Sequence, residues 1–200
     1  MLTFTAAVFF LLITPGPGVL STAGVGSGFG YRAGIRYVSG LFVGTNLVAL
    51  AVVSGLAAVV FSVPALRTVL LVASALYLLY LALRIALSGS RIAFIERRSE
   101  PGFLNGVALQ AINPKAYAVN TTLFTGFAFW PESLLAETVT KFVVLNLIWI
   151  PIHLLWLAAG VSVRQLDLGH RTQTAVNVVM ALSMLAVVVL AAWSQLDPHA

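Results

Sequence analysis

Six apolar segments follow one another along this 200-residue chain, and their lengths constrain its fold more than any other feature. A helix needs roughly 20 apolar residues to cross the hydrocarbon core of a bilayer, and every segment reaches that length. The segments are 2–25, 37–61, 65–87, 103–130, 138–163 and 174–193. They predict an all-α integral membrane protein with six transmembrane helices.

Composition agrees with this prediction. Only 8% of the residues are charged and 60% are hydrophobic, a balance that soluble domains of this size do not have. No linker is long enough to divide the chain, so we expect a single transmembrane domain over residues 1–200 in contact with the lipid bilayer. The first segment has no basic flank and no small-residue cleavage site before a soluble domain, which indicates a retained helix rather than a signal peptide.

Basic residues predict the orientation of the helices. Eight of them lie in or beside the connections after the first, third and fifth segments, and two lie on the other side. By the positive-inside rule the first side is cytoplasmic and both termini face outward. The same bias explains the net charge of +5, so we expect no nucleic-acid partner. The eight are Arg32, Arg36, Arg84, Arg91, Arg97, Arg98, Arg164 and Arg171; the two are Arg67 and Lys141.

Polar motifs recur at half the length of the chain. Ile-Thr-Pro at 13–15 matches Ile-Asn-Pro at 112–114, and Asn46 matches Asn146. Each half holds three predicted helices, an odd number, so the second half enters the membrane in the opposite sense. This arrangement is the inverted repeat of many secondary transporters, although chance similarity between apolar helices is an alternative. The two predicted three-helix repeats are 1–100 and 101–200.

Both matching proline motifs would interrupt their helices near the membrane centre. Thr14 and Asn113 are good N-cap residues, and a proline is favoured at the first helical position that follows. Helices 1 and 4 are therefore predicted to be broken at the midplane, each with a second half-helix. Proline also frees the carbonyl four residues earlier, so we expect free carbonyls at Leu11, Ile13 and Gln110.

Lys115 lies near the middle of the apolar run 103–130, where a charge is costly and marks a functional site by default. The alternative is a lysine that extends to the membrane interface or lies at the tip of a cytoplasmic loop. The central position of Lys115 in the apolar run argues against this alternative. A half-helix N-terminus carries partial positive charge and unpaired N–H groups, so two such ends with Lys115 suit a carboxylate. The residues assigned to this site are Thr14, Pro15, Gly16, Pro17, Asn113, Pro114 and Lys115.

Four further side chains are predicted to bind the ammonium group of a zwitterionic substrate. Asn46, Asn146, Asn177 and Tyr77 all lie within apolar segments and can accept hydrogen bonds, as can the freed carbonyls. An interhelical hydrogen bond without a ligand is the alternative role for each asparagine. Packing or an interfacial position is the alternative for Tyr77.

All six acidic residues fall in predicted loops or at helix ends. A basic amino acid would need a buried carboxylate, so this distribution favours a neutral one. Glu137 and Lys141 have the spacing of a helix ion pair, and no further role is assigned to them. His153, near Pro151, is either a packed, hydrogen-bonded side chain or, with Lys115, a candidate for proton coupling.

Several residue types that carry chemistry are missing or isolated. There is no cysteine, which excludes disulfides, thiol relays and thiolate metal sites. No cluster of histidines or carboxylates is present either, so we expect no metal, no cofactor, no catalytic residue and no enzymatic activity. Glycines four residues apart, at 30 and 34 and at 40 and 44, indicate close helix packing and permit a homodimer. A phosphate-binding loop is discounted, because no complete pattern follows a strand.

Motifs in both halves resemble those of the lysine-exporter (LysE/RhtB) translocators. They are Thr-Pro-Gly-Pro-Gly at 14–18, Gly-Tyr-Arg-Ala-Gly at 30–34 with Gly40 and Gly44, the tyrosine motif at 75–81, Gly-Phe-Leu-Asn at 102–105 and Asn-Pro-Lys-Ala at 113–116. The resemblance covers essentially the whole chain. It implies a six-span exporter of amino acids or related metabolites in the bacterial inner membrane, driven by an ion gradient.

The family's motif positions fall on Thr14, Pro15, Gly16, Pro17, Asn113, Pro114 and Lys115. The chain departs from the family pattern at Ser74 and Ala82, where glycines are usual. It also departs at 125–130, where Thr-Gly-Phe-Ala-Phe-Trp replaces the proline-containing end that the family has on the fourth segment. The sixth segment lacks the glycines expected from the family. These departures concern the substrate and the activity, and they leave the expected fold intact.

Three functions follow from these observations. The leading hypothesis is a secondary transporter that exports small amino acids by alternating access, and it requires a cavity that Lys115 shares with Thr14 and Pro15. A non-transporting structural or accessory membrane subunit is the alternative, and it predicts tight packing with no cavity at Lys115. A transmembrane enzyme or electron carrier would need a cofactor for which the sequence offers no ligand set.

Overall fold

The computed structural model describes residues 1–86 and 100–166, with single positions between 172 and 186, and all regular structure in these ranges is helical. The all-α prediction is therefore confirmed for this part of the chain. The predicted sixth helix, 174–193, lies largely outside the described residues. The helices are α1 (Leu2–Ile13), α2 (Pro17–Val53), α3 (Leu56–Ser62), α4 (Pro64–Ala86), α5 (Phe103–Ile112), α6 (Pro114–Thr125) and α7 (Leu134–Gln165).

Helix α2 consists of two segments that fold back on each other. Gly30 between them has φ 83° and ψ −174°, a conformation that a residue with a side chain rarely adopts. Tyr37 Oη donates a hydrogen bond of 2.9 Å to Ser21 Oγ, whereas a straight helix would separate these residues by about 24 Å. The N-terminal segment thus continues from α1 as the second half of a broken helix, as predicted, and the C-terminal segment returns beside it.

The predicted second helix, 37–61, is wrong as a single element. The long helix ends at Val53, and Gly55 takes a left-handed conformation with φ 77°. Its N–H donates to the carbonyl of Val52 at 3.0 Å, which completes a glycine-terminated helix end. The short α3 then leads into α4, which begins at Pro64 as predicted.

The predicted fourth helix ends earlier than expected and the fifth begins earlier. Helix α6 stops at Thr125 with Gly126 at its C-cap, and residues 126–133 form a loop rather than the last turns of a helix. Helix α7 begins at Leu134 and continues through Pro151 to Gln165. Glu137 therefore lies in the first turn of α7, at a helix end as predicted, and its burial was not foreseen.

Glycines bring the helices into backbone contact, as predicted at Gly40 and also at Gly106 and Gly160, which the spacing argument did not include. A Cβ atom at Gly40 would overlap the carbonyl of Phe103, and one at Gly106 would overlap that of Tyr37. The C-terminal segment of α2 therefore packs directly on α5. A Cβ at Gly160 would overlap the carbonyl of Ala23 in the same way, so α7 packs on the N-terminal segment of α2.

Three of the described helices are long and apolar enough to cross a membrane. By length and composition they are Pro17–Val53, Pro64–Leu81 and Leu134–Gln165, and the first of these is the helix that bends at Gly30 into the two segments described above. The shorter apolar helices α1 and α5 are the first halves of the two broken helices.

Candidate functional site

The two broken helices meet at Lys115. Its ammonium Nζ donates hydrogen bonds to the carbonyl oxygens of Thr14 at 2.6 Å and Pro15 at 3.4 Å. A Cβ atom at Gly16 would lie 2.7 Å from Lys115 Cδ and 2.9 Å from Nζ. The missing side chain at Gly16 thus leaves the space through which Lys115 reaches the opposite break.

Asn113 and Pro114 open α6 as predicted. Asn113 is the N-cap residue, its Oδ1 accepts a hydrogen bond of 3.1 Å from the backbone N–H of Lys115, and Pro114 occupies the first helical position. The carbonyl that Pro114 should free is nevertheless bonded, because the N–H of Asn113 donates to Gln110 O at 3.2 Å. The predicted free carbonyl at Gln110 is therefore wrong.

The first break has a different cap from the one predicted. Thr14 is the C-cap of α1, its hydroxyl donates to Phe10 O at 2.6 Å, and Gly16 with Pro17 begins α2. A residue before proline is pushed into an extended conformation, and this applies to Thr14 and Gly16 alike. The second half-helix can therefore begin only at Pro17. Lys115 binds the carbonyls of Thr14 and Pro15, which are not the carbonyls of Leu11 and Ile13 that the two prolines were predicted to free.

A cavity of about 50 Å³ lies between the breaks and α7. Such a volume holds a few water molecules, whereas binding benzene took an engineered cavity of about 150 Å³. The cavity in this arrangement is therefore small for an organic ligand. Among the described residues the polar lining is Thr14, Thr45, Gln110, Asn113, Lys115, Asn120 and His153; the apolar lining is Leu11, Leu12, Val19, Ala116, Val119 and Trp149, with Gly16 and Gly18 between.

A chain of buried hydrogen bonds links α2 to the start of α6 along one wall of the cavity. Gln110 Nε2 donates to Thr45 Oγ1 at 2.6 Å, and Asn113 Nδ2 donates to Gln110 Oε1 at 2.9 Å. All three side chains are at most 4% exposed. Asn113 also caps the N–H of Lys115, so the chain fixes the helix end from which the lysine projects.

His153 of α7 also lines the cavity. Its ring stacks on that of Trp149 with centroids 3.6 Å apart and planes 14° from parallel, and its Nδ1 lies 2.9 Å from Trp149 O. The side chain is 3% exposed. The packed, hydrogen-bonded role that the sequence allowed is therefore present, and the same ring also lines the cavity.

Several predicted site residues lie away from this cavity. Asn46 and Asn146 pair with each other, each side-chain amide donating to the oxygen of the other at 3.0 and 2.9 Å. Tyr77 Oη donates to the carbonyl of Asn105 at 2.8 Å. Pro17 and Pro114 shape the helix starts without lining the cavity. Pro15 does not line it either, and its carbonyl accepts from Lys115. Asn177 lies outside the described residues.

Sequence reasoning did not assign the side chains of Thr45, Gln110 and Asn120 to the site. Asn120 is 2% exposed, and its Nδ2 donates to Ala116 O at 2.8 Å. A signal was available, because Gln110, Asn113 and Asn120 are polar residues within the apolar run 103–130 that also contains Lys115.

A second buried polar cluster lies at the far end of α6. Glu137 Oε2 accepts hydrogen bonds from the N–H groups of Phe129 and Trp130 at 2.8 and 2.6 Å. Lys141 Nζ donates to the carbonyls of Phe124 and Phe127. The helix ion pair predicted from the spacing is confirmed, with Lys141 Nζ 2.7 Å from Glu137 Oε1, while its burial and backbone partners were not foreseen.

The site combines a cation, a helix N-terminus and apolar walls. Within the described ranges, no group of three or more His, Cys, Asp or Glu side chains could hold a metal ion. The fold and the site together define a helical membrane protein with a polar cavity between broken helices.

This chain belongs to the LysE type translocator family, whose model matches residues 9–195. The family is one of inner-membrane transporters rather than enzymes. The chain is 28% identical over 130 residues to the leucine efflux protein of Enterobacter sp. (strain 638), a match that covers 62% of each protein. The matched part thus spans less than two thirds of that relative. No solved structure matches the chain.

Proposed function

We propose that this protein is a secondary transporter that exports small neutral, zwitterionic amino acids from the cytoplasm by alternating access. One observation carries the proposal: the ammonium of Lys115 lies in a cavity shared with Thr14, held by the carbonyls of the opposite helix break. A cation at a helix N-terminus attracts a carboxylate. The proposed binding residues include Thr14, Gly16, Asn113 and Lys115.

The apolar half of the lining favours an aliphatic side chain. Leu11, Leu12, Val19, Val119 and Trp149 surround the polar groups, and burial of an aliphatic chain against them is favourable. The name of the relative, a leucine efflux protein, points in the same direction. Leucine is accordingly the first substrate to test.

The hydrogen bond between Lys115 and Thr14 suggests how substrate opens the site. In this arrangement the two breaks are tied together and the cavity is small. A substrate carboxylate offers the ammonium a charged acceptor, and hydrogen bonds between charged groups are stronger than those to a carbonyl. Binding would therefore release Thr14 from Lys115 and allow the two halves to move, with an ion gradient as the proposed driving force.

The inverted repeat, with halves 1–100 and 101–200 in one domain, is part of the proposal. Asn46 and Asn146 are matching positions of the two halves, and their hydrogen bonds are reciprocal. Reciprocal contact between equivalent residues is expected beside a two-fold axis. Arg164 also bonds to Gly28 O at 3.2 Å, joining two connections of the predicted cytoplasmic side. Both termini are proposed to face outward.

The alternative of an accessory subunit without transport predicts tight packing at Lys115. The cavity at that residue argues against it. A homodimer remains compatible with the proposal and is not needed by it, because every residue invoked belongs to one chain.

Efflux from bacteria loaded with a panel of amino acids tests the proposed function. Cells with the wild-type chain should export an aliphatic amino acid, and dissipation of the ion gradients by an ionophore should stop the export. Lys115→Met, which keeps the length of the side chain without its charge, should lose export at equal expression. Thr125→Ala, at the exposed end of the same helix, should not. Undiminished export by Lys115→Met would remove the lysine from the site, and no export of any member of the panel would overturn the proposal.

A further inference from the structure

Most polar groups around the cavity bind one another. Gln110, Asn113 and Thr45 form one hydrogen-bonded chain, and Lys115 binds the carbonyls of the first break. Together these groups hold Lys115 and form the positively charged part of the cavity, which suits a carboxylate. Asn120 Oδ1 on the lining is buried and receives no hydrogen bond from the part of the chain that the structure describes. The ring of His153 is bonded there through Nδ1 alone, which leaves Nε2 as a second acceptor facing no donor in that part.

The hydrogen bond to Trp149 decides the role of the His153 ring. A carbonyl oxygen only accepts, so Nδ1 at 2.9 Å from Trp149 O carries the proton. The ring is neutral, because an imidazolium would be a second buried cation in a cavity that has Lys115 and no carboxylate among its described lining residues. Nε2 is therefore an acceptor. It lies beside Gly18, where a Cβ atom would be 3.6 Å from it.

Asn120 presents its oxygen for a similar reason. The Nδ2 group donates to the carbonyl of Ala116 at 2.8 Å. The opposite orientation of the amide would place two oxygens together, so the assignment of nitrogen and oxygen is fixed by chemistry. Oδ1 is buried and accepts nothing from the described residues. A buried acceptor without a donor costs free energy, and a donor from a ligand would remove that cost.

We propose that His153 Nε2 and Asn120 Oδ1 form an acceptor pole that binds the ammonium group of the substrate while Lys115, in the same cavity, binds its carboxylate. This inference rests on the proposed function, since it concerns the same cavity. An ammonium group has three N–H donors and no acceptor, so it matches two unpaired acceptors, whereas a hydroxyl or a hydrogen atom in its place matches them poorly. The pole thus makes the transporter specific for amino acids over carboxylic acids of the same shape.

Competition in proteoliposomes tests the acceptor pole. Counterflow of radiolabelled leucine is measured against unlabelled leucine and against 4-methylpentanoate, which has the same carboxylate and side chain without the ammonium. Wild type should favour leucine by about 10-fold or more, as expected for lost hydrogen bonds to a charged group. His153→Phe, which keeps a ring on Trp149, and Asn120→Ala should each bind leucine more weakly and 4-methylpentanoate unchanged. The preference should therefore fall by about threefold or more.

Matched variants separate this role from a structural one. His153→Gln, whose side-chain oxygen can accept, should restore part of the preference, and Thr121→Ala on the exposed face of α6 should leave it at the wild-type value. If wild type transports leucine and both His153→Phe and Asn120→Ala keep the full preference, the acceptor pole is wrong while the transporter stands. If leucine and 4-methylpentanoate compete equally well in wild type, the acceptor pole is likewise wrong while the transporter stands. Absence of leucine counterflow in wild type would overturn the proposed leucine transport together with the pole.

Discussion

Lys141 Nζ lies 2.7 Å from Glu137 Oε1 in the first turns of α7, with 4% and 7% of the two side chains exposed. The pair also binds the backbone of the preceding loop. Glu137 accepts from two of its N–H groups, and Lys141 donates to one of its carbonyls and to one at the end of α6. This loop carries Phe127 and Phe129, whose rings pack on Phe4 of α1 with centroids 5.6 and 5.7 Å away. The ion pair therefore joins the ends of α1, α6 and α7.

Exchange of the two charges should destabilise the protein even though an ion pair remains possible. In the double variant Glu137→Lys, Lys141→Glu, the ammonium group at position 137 faces the backbone N–H groups, which are donors like itself. The carboxylate at position 141 faces the backbone carbonyls, which are acceptors like itself. Loss of partners by a buried charge is strongly destabilising, so we expect the thermal midpoint in detergent to fall by at least about 5 °C. A double variant as stable as wild type would show that the backbone hydrogen bonds contribute nothing.

Gly16→Ala should impair transport with little effect on folding. The new methyl group would lie 2.7 Å from Lys115 Cδ, and the flexible lysine can move where backbone could not. The φ of −167° at Gly16 suits alanine. We expect export to fall by about 10-fold, the effect of a lost or displaced charged hydrogen bond, with an unchanged thermal midpoint. Gly102→Ala, where a Cβ meets nothing closer than 4.0 Å, is the control and should export normally.

The reciprocal bonds between Asn46 and Asn146 predict energetic coupling. Asn46→Leu leaves the amide of Asn146 without its partner across the helices. Asn146→Leu leaves Asn46 only its bond to the carbonyl of Phe42 at 2.9 Å, and the double substitution removes both amides. Unfolding measurements should give a coupling free energy of about 1 kcal/mol, within the range for interhelical hydrogen bonds in membranes. Asn46→Leu combined with the distant Thr125→Ala should be additive. Additive effects for the asparagine pair would contradict the reciprocal contact.

The proposed orientation predicts which thiols are accessible from outside the cell. The chain has no cysteine, so a single introduced cysteine is its only thiol. A membrane-impermeant maleimide should label Ser133→Cys in the exposed α6–α7 loop of intact cells, and should label Glu100→Cys, before α5, only after the membrane is opened. The reverse pattern would invert the proposed topology.

The parts of the site that depend on local sequence were predictable. The cap at Asn113 and Pro114 is set by neighbouring residues, and the meeting of Lys115 with the first break follows from matching positions in two halves. Features that depend on tertiary contacts were missed. The helix end at Gly55 is hidden in an apolar run, and the early start of α7 accompanies the burial of Glu137 against a loop. His153 and Asn120 reveal their acceptor atoms only once their partners, Trp149 and Ala116, are known.

Protection of a cysteine at the first break tests the central claim most directly. Thr14→Cys places the only thiol at the cavity beside Lys115, and its reaction with a small maleimide is followed with and without leucine in purified protein. Leucine should slow this reaction, and should have no effect in Thr14→Cys with Lys115→Met or on Ser133→Cys. If leucine protects Thr14→Cys equally with and without Lys115, or does not protect it at all, the carboxylate of the substrate does not bind at this lysine.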